Sequence, residues 1–158
     1  MSRLVVILPL LALTVGDAFT LRDWPLHLTV APTFVIEGGQ AVVLPAIAPI
    51  LQAQRALRLR IGPPAGFGHA MNVPVSLVEP TAELTRLHTG LVEALRTVGA
   101  LFDDPEFVGD AYRPHITLKG IAALPQGNHL ALGQAAVVDM APAGERRVRQ
   151  VVWTTALT

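Results

Sequence analysis

Two short strings in the 158-residue chain pair an imidazole with a hydroxyl at the same spacing. One is Trp24-Pro25-Leu26-His27-Leu28-Thr29-Val30; the other is Tyr112-Arg113-Pro114-His115-Ile116-Thr117-Leu118. Each carries an aromatic residue three positions before the histidine, a proline between them, and then His-apolar-Thr-apolar. Residues i and i+2 of a strand project from one face. His27 therefore points with Thr29, and His115 with Thr117, while Leu26, Leu28, Val30, Ile116 and Leu118 turn toward a core. With 5 histidines and 14 serines plus threonines in the chain, about 0.1 such flanked sites are expected by chance, so two copies together are far more specific than one. The copies lie 88 positions apart, one in each half of the chain. That is the trace left by two fused, pseudo-symmetric lobes.

If the two strands meet about a twofold axis, one cleft receives two imidazoles and two hydroxyls, a set suited to phosphodiester chemistry without a metal. A neutral imidazole takes a proton from the attacking oxygen, and the opposite imidazolium protonates the leaving oxygen. Imidazole titrates near neutrality, so both forms are at hand. The hydroxyls of Thr29 and Thr117, with Lys119 or Arg113, can hydrogen-bond the non-bridging phosphate oxygens as negative charge grows there. A solvated edge is an equal reading for Arg113 and Lys119. Trp24 and Tyr112 are open to two readings, as faces on which a base stacks or as core and rim aromatics. His69, His88 and His129 have no such partner pattern. Asp103-Asp104 reads as a solvated turn, and no acidic and histidine residues stand at metal-ligand spacing.

The elements that must position these groups follow from hydrophobic periodicity. Residues 3–8 form a short β-branched run stopped by Pro9, the pattern of a buried strand. The same run, followed by Gly16-Asp17-Ala18, mimics an export signal with a small-residue cleavage site; the strand is the favoured reading. Ala18 to Leu21 suggests a short strand, and residues 26–30 alternate as a half-buried one. Residues 40–55 have helical spacing disturbed by Pro45 and Pro49, which predicts a short or kinked helix. Residues 57–61 alternate again, with Arg58 and Arg60 on a solvent face; 62–68 is rich in Gly and Pro and reads as a loop, without the Lys-Ser/Thr of a phosphate-binding loop. Residues 73–79 are another strand. After Pro80 an apolar stripe at Leu84, Leu87, Leu91, Leu95, Val98 and Phe102 predicts a long helix, with Glu83/Arg86 and Glu93/Arg96 as exposed pairs. An acidic loop at 103–112, a strand at 115–118, and a hairpin of 135–140 with 147–157 around Pro142-Ala143-Gly144 complete the chain. This order indicates a single α+β domain.

Composition narrows the partners. Hydrophobic residues make up 51% and charged ones 15%, which excludes a disordered chain. Twelve basic residues balance twelve acidic ones, so no bulk field draws in long duplex nucleic acid or an anionic membrane. The longest uncharged N-terminal run is too short to span a bilayer. With no cysteine, disulfides, thiolate nucleophiles, zinc fingers and iron–sulfur clusters are excluded, and a cytoplasmic location fits.

The two His-x-Thr motifs, half a chain apart in a protein of this size, resemble those of the two-histidine (2H) phosphoesterase superfamily. They are most similar to the bacterial and archaeal 2'-5' RNA ligase/RNA 2',3'-cyclic phosphodiesterase group, Pro114-His115-Ile116-Thr117-Leu118 especially so. The resemblance implies a bilobal α+β fold with antiparallel-rich sheets, helices packed outside and both motifs lining a central cleft. It implies hydrolysis of 2',3'-cyclic phosphates, or reversible 2'-5' joining of RNA ends, with no cofactor and no metal. His27, Thr29, His115 and Thr117 match the catalytic positions one for one. Lys119 stands where an arginine is common nearby. The expected lobes divide roughly into 1–78 and 79–158. The balanced charge favours a small cyclic-phosphate nucleotide or a short RNA end as substrate, handled by a monomer. The competing expectations are a binding module that holds RNA ends in the same cleft without turnover, and a structural or exported protein in which the repeat is coincidence.

Overall fold

The computed structural model describes residues 1–158. The chain folds into ten strands and two helices: β1 (Ser2–Pro9), β2 (Ala18–Thr20), β3 (His27–Ile36), α1 (Gln40–Ala53), β4 (Leu57–Phe67), β5 (Val73–Val78), α2 (Ala82–Thr97), β6 (Leu101–Phe102), β7 (His115–Thr117), β8 (His129–Leu132), β9 (Gln134–Asp139) and β10 (Val148–Ala156). One curled sheet runs β2-β10-β9-β1-β3-β7-β5-β4-β8, with β6 added to β3, and the pairings are antiparallel. This is the α+β class expected from the alternation of elements. No helix is long and apolar enough to cross a membrane.

The alternating strands sort their side chains onto two faces. On one face Leu4, Val6, Leu8, Leu28, Val30 and Ile116 join the buried residues of α1 and α2 in the main core. On the other, Val5 and Ile7 pack with Leu13, Trp24, Ala136, Val138, Met140 and Val151 in a much smaller cluster. Leu28 and Ile116 are fully buried, and each burial is worth roughly 1.5–3 kcal/mol. That burial anchors both motif strands by the residue between His and Thr, so the polar pair must face the thinly covered side. The run at residues 3–8 is in the sheet interior, where β1 lies between β3 and β9.

Several sequence expectations need correction. Pro45 and Pro49 do not break α1. Their four-residue spacing puts both on its exposed face, where water serves the carbonyls that lose a backbone partner. The segment 62–68 is not a loop: β4 continues to Phe67, paired with β5 from Pro64 to Phe67 beyond a register shift after Ile61. Gly66 allows the turn that follows, since a Cβ there would stand 2.3 Å from the Met71 carbonyl oxygen. α2 starts at a Thr81 hydroxyl that accepts the Leu84 amide, a cap worth about 1 kcal/mol. It stops before Gly99, whose positive φ of 96° ends it, so Phe102 belongs to β6 and not to the helical stripe. The expected Glu83/Arg86 and Glu93/Arg96 pairs do not form. Glu83 instead accepts from Gln54, and Arg96 lies over the Phe102 ring. Asp103-Asp104 is an exposed bend as expected, and Asp103 also pairs with Arg3 at 2.6 Å. β8 carries no clear sequence signal.

The strand order interleaves the two halves of the chain. β4 and β5 lie with β7 and β8, while β9 and β10 return to β1. The two halves of the sheet meet at the β3–β7 seam, and each draws strands from both halves of the chain.

Candidate functional site

The seam brings the two motifs together. Leu28 faces Ile116 across β3 and β7 in an antiparallel pair. His27 therefore stands beside Thr117, and Thr29 beside His115, all four on the face away from the helices. The two histidines occupy the diagonal of this square, where strand geometry sets neighbours roughly 7–8 Å apart with their Cβ atoms somewhat closer. Both rings are half-buried and remain open to water.

Each ring is oriented by its own chain. The Nδ1–H of His27 donates to the Pro25 carbonyl and that of His115 to the Arg113 carbonyl, both at 2.8 Å. A carbonyl only accepts, so Nδ1 carries the hydrogen, and the network assigns the tautomer that leaves Nε2 bare. Each histidine thus presents a free basic nitrogen. Burial pushes the His27 imidazole down to about 4, with the nearby Lys119 and His115 charges adding to the effect and the Pro25 carbonyl opposing it. Burial also lowers His115; the Arg113 carbonyl opposes this and the Arg113 charge reinforces it. Both rings are therefore neutral near pH 7, the form able to accept a proton.

The walls repeat the same plan with different residues. Trp24 lies against His27, ring centroids 4.1 Å apart, and the Lys119 ammonium sits 5.3 Å from the Trp24 centroid. Phe67 lies edge-on to His115 at 4.4 Å, with the Arg113 guanidinium 4.8 Å from the Phe67 centroid. On each side one aromatic ring contacts both a histidine and a cation. Lys119 is held in the left-handed region (φ 34°), and its ammonium donates to the Leu21 carbonyl at 3.1 Å. Such strain in a non-glycine residue is typical of a functional position. Burial and the Arg149 charge both weaken its hold on the proton. A hollow of about 370 Å³ beside it is lined by Leu21, Arg22 and Lys119. A hollow of about 430 Å³ at the end of α2, lined by Arg96, Leu101, Phe102 and neighbours, contains none of the motif residues.

The sequence-derived site residues therefore separate into groups. His27, Thr29, His115 and Thr117 share one square, with Arg113 and Lys119 on opposite flanks. Trp24 is nearly sealed (8% exposed) and backs His27, so it is a wall of the site and no open platform for a base. Tyr112 is not in the cleft at all. Its ring stacks on His88, centroids 3.8 Å apart and planes 4° from parallel, and its hydroxyl donates to the Thr29 carbonyl. It packs with the main core on the helix side. Two residues went unnoticed in the sequence. Phe67 lay in the stretch read as a loop. Arg149, whose guanidinium lies 5.7 Å from the Trp24 centroid, carries no local motif. No three His, Asp or Glu side chains come together in a metal-ligating group.

Comparison with known proteins agrees with this geometry. Residues 15–151 match the family model described as the 2'-5' RNA ligase superfamily. Among solved structures, a phosphoesterase superposes with a TM-score of 0.62 at 16% identity, covering 99% of this chain and 98% of the other. Escherichia coli LigT complexed with NADP+ gives 0.61 at 17%, with 99% and 98% coverage. A Thermus thermophilus protein gives 0.62 at 18%, with 98% and 97% coverage. A search of curated protein sequences gives no significant match. The family model spans most of the chain, the overlaid folds span nearly all of it, and two bare imidazoles stand on one face of the β3–β7 seam. The chain belongs to the 2'-5' RNA ligase superfamily, within the two-histidine phosphoesterases.

Proposed function

We propose that the chain is a metal-independent phosphodiesterase that opens 2',3'-cyclic phosphate ends of nucleotides or short RNA with water, and that reversibly joins RNA ends through 2'-5' linkages when a 5'-hydroxyl takes the place of water. The observation that carries this reading is the diagonal pair of histidines, each with Nε2 bare and a threonine at its side. One neutral ring takes the proton of a water whose oxygen attacks phosphorus. The bond from phosphorus to one ribose oxygen breaks, and the opposite ring, protonated, gives that oxygen its proton. The product is a phosphomonoester, with the protons exchanged between the two rings. A phosphate anion between the rings raises the proton affinity that burial has lowered, so the acid is charged when substrate is bound. The hydroxyls of Thr29 and Thr117 hydrogen-bond the non-bridging oxygens as their charge grows, and Lys119 and Arg113 supply positive charge from either side. The near-twofold arrangement suits a reversible reaction, because the acid of one direction is the base of the other.

A small nucleotide or a short RNA end is the fitting substrate for a cleft in a chain with no net charge, handled by a monomer in the cytoplasm. E. coli LigT has been crystallised with NADP+ and with 3'-AMP, which supports a nucleotide as the ligand. The test is hydrolysis of a 2',3'-cyclic nucleotide in the presence of a chelator. His27→Ala and His115→Ala should each lower turnover at least about 100-fold and remain folded. Undiminished hydrolysis by either variant overturns the proposal, and binding without product at any pH from about 5 to 9 makes the cleft a binding module.

A further inference from the structure

His88 and Tyr112 lie behind the cleft, and the chemistry above does not use them. His88 is fully buried on α2, yet both ring nitrogens are engaged. Its Nδ1–H donates to the Val30 carbonyl at 2.8 Å, and its Nε2 accepts the Gly109 amide at 3.0 Å. Tyr112 lies flat on this ring and donates its hydroxyl to the Thr29 carbonyl at 2.8 Å. The carbonyls of two successive residues of β3 are thus held by side chains. This is where the register of β3 against β1 shifts, between the Val6/Ala31 and Ile7/Thr29 pairs. Here β3 lacks a regular partner on its other edge too: β7 meets it only at Leu28, and β6 at Phe34 and Val35.

The gripped points are not arbitrary. Thr29 and Val30 are two and three residues beyond His27. Gly109 and Tyr112 are six and three residues before His115. One buried imidazole and one phenol therefore tie the strand of the first motif to the segment that delivers the second. Burial lowers the proton affinity of His88, against the pull of the Val30 carbonyl and with the Arg96 charge assisting. The ring stays neutral, as a donor on one nitrogen and acceptor on the other requires.

We propose that His88 and Tyr112 are positioning residues that set the spacing of His27 and His115 across the seam by clamping Thr29 and Val30 to the 109–112 segment. The inference rests on the reading of the cleft as a two-histidine site. His-x-Thr strands paired by one central residue have little else to fix their relative tilt, and small displacements of acid and base cost large factors in rate.

The test uses His88→Phe, which keeps an aromatic ring against Tyr112 and removes both hydrogen bonds, and Tyr112→Phe, which removes only the hydroxyl. With 2',3'-cyclic AMP as substrate, His88→Phe should lower kcat about tenfold or more while KM stays within about twofold. Tyr112→Phe should do the same to a smaller extent, and it decides the question if His88→Phe does not fold. A folded variant with kcat unchanged, or one in which only KM rises, overturns the proposal. A second readout does not depend on turnover. In ¹H–¹⁵N spectra of the ring nitrogens, His27 and His115 should shift in the variants, and unchanged ring signals overturn the clamp. If the unaltered protein leaves the cyclic nucleotide intact, the functional reading fails by itself and the ring signals still judge the clamp.

Discussion

Replacing His27 by asparagine should make the protein less sensitive to acid, even though it removes a catalytic group. The asparagine amide places an N–H close to where Nδ1–H now meets the Pro25 carbonyl, so the local hydrogen bond has a substitute. What disappears is a group that burial holds at about 4 against an ordinary 6.5. A histidine lowered on folding favours the native state fully above its unfolded value. As pH falls from 6.5 toward 4 the unfolded chain takes the proton and the folded chain refuses it, so stability is lost across that window. The gap is about 2.5 pH units, each worth about 1.4 kcal/mol. Between about pH 7 and pH 4.5 this one residue should therefore cost the unaltered protein about 2 kcal/mol. His88 and His115 are lowered as well, but they are present in both proteins and largely cancel in the difference. The assay is urea unfolding of both proteins at the two pH values. The asparagine variant should lose about 2 kcal/mol less between them. Equal losses, within about 0.5 kcal/mol, would refute both the burial of His27 and the claim that its ring is neutral near pH 7.

Other consequences are as specific. Phe67→Ala removes the ring that packs on both His115 and Arg113 and admits water; the His115 titration followed by NMR should move up toward 6.5, and kcat/KM for a cyclic nucleotide should fall about tenfold. Lys119→Met takes away a charge that helps to lower His27, so His27 should titrate above about 4, whereas a further fall would contradict the assigned sign. Gly66→Ala would press a Cβ against the Met71 carbonyl, costing roughly 1–3 kcal/mol of stability and displacing neighbouring Phe67; a rise in thermal midpoint would count against the close approach.

The chemistry was legible in the sequence because it is written twice and locally. His27/Thr29 and His115/Thr117 share a face by strand alternation alone, and the apolar residue between them announces which face is buried. Local reading failed where pairing decides. Two prolines and three glycines made residues 62–68 look like a loop, but hydrogen bonding to β5 and a bulge hold them as a strand and bring Phe67 to His115. Tyr112 occupies the same place in its motif as Trp24, yet the chain reaches β7 through a tight turn at Gly109–Ala111, whose amide His88 captures. The phenol is drawn to the helix side, and Phe67 takes the corresponding wall. Only the distant partner reveals that exchange. The interleaving of the strands was not legible for a related reason, since a repeat in sequence does not dictate which strands complete each half of a sheet.

The interleaved sheet order also bears on how the molecule is made. β1 lies between β3 and β9, and Leu4 pairs with Asp139, almost the whole chain away. Such distant pairings raise contact order and slow folding. During synthesis the hydrophobic run of β1 must wait, one edge unsatisfied, until β9 has left the ribosome. The nascent chain is thus prone to self-association until β9 emerges, and β9 and β10 act as the closing clasp of the sheet.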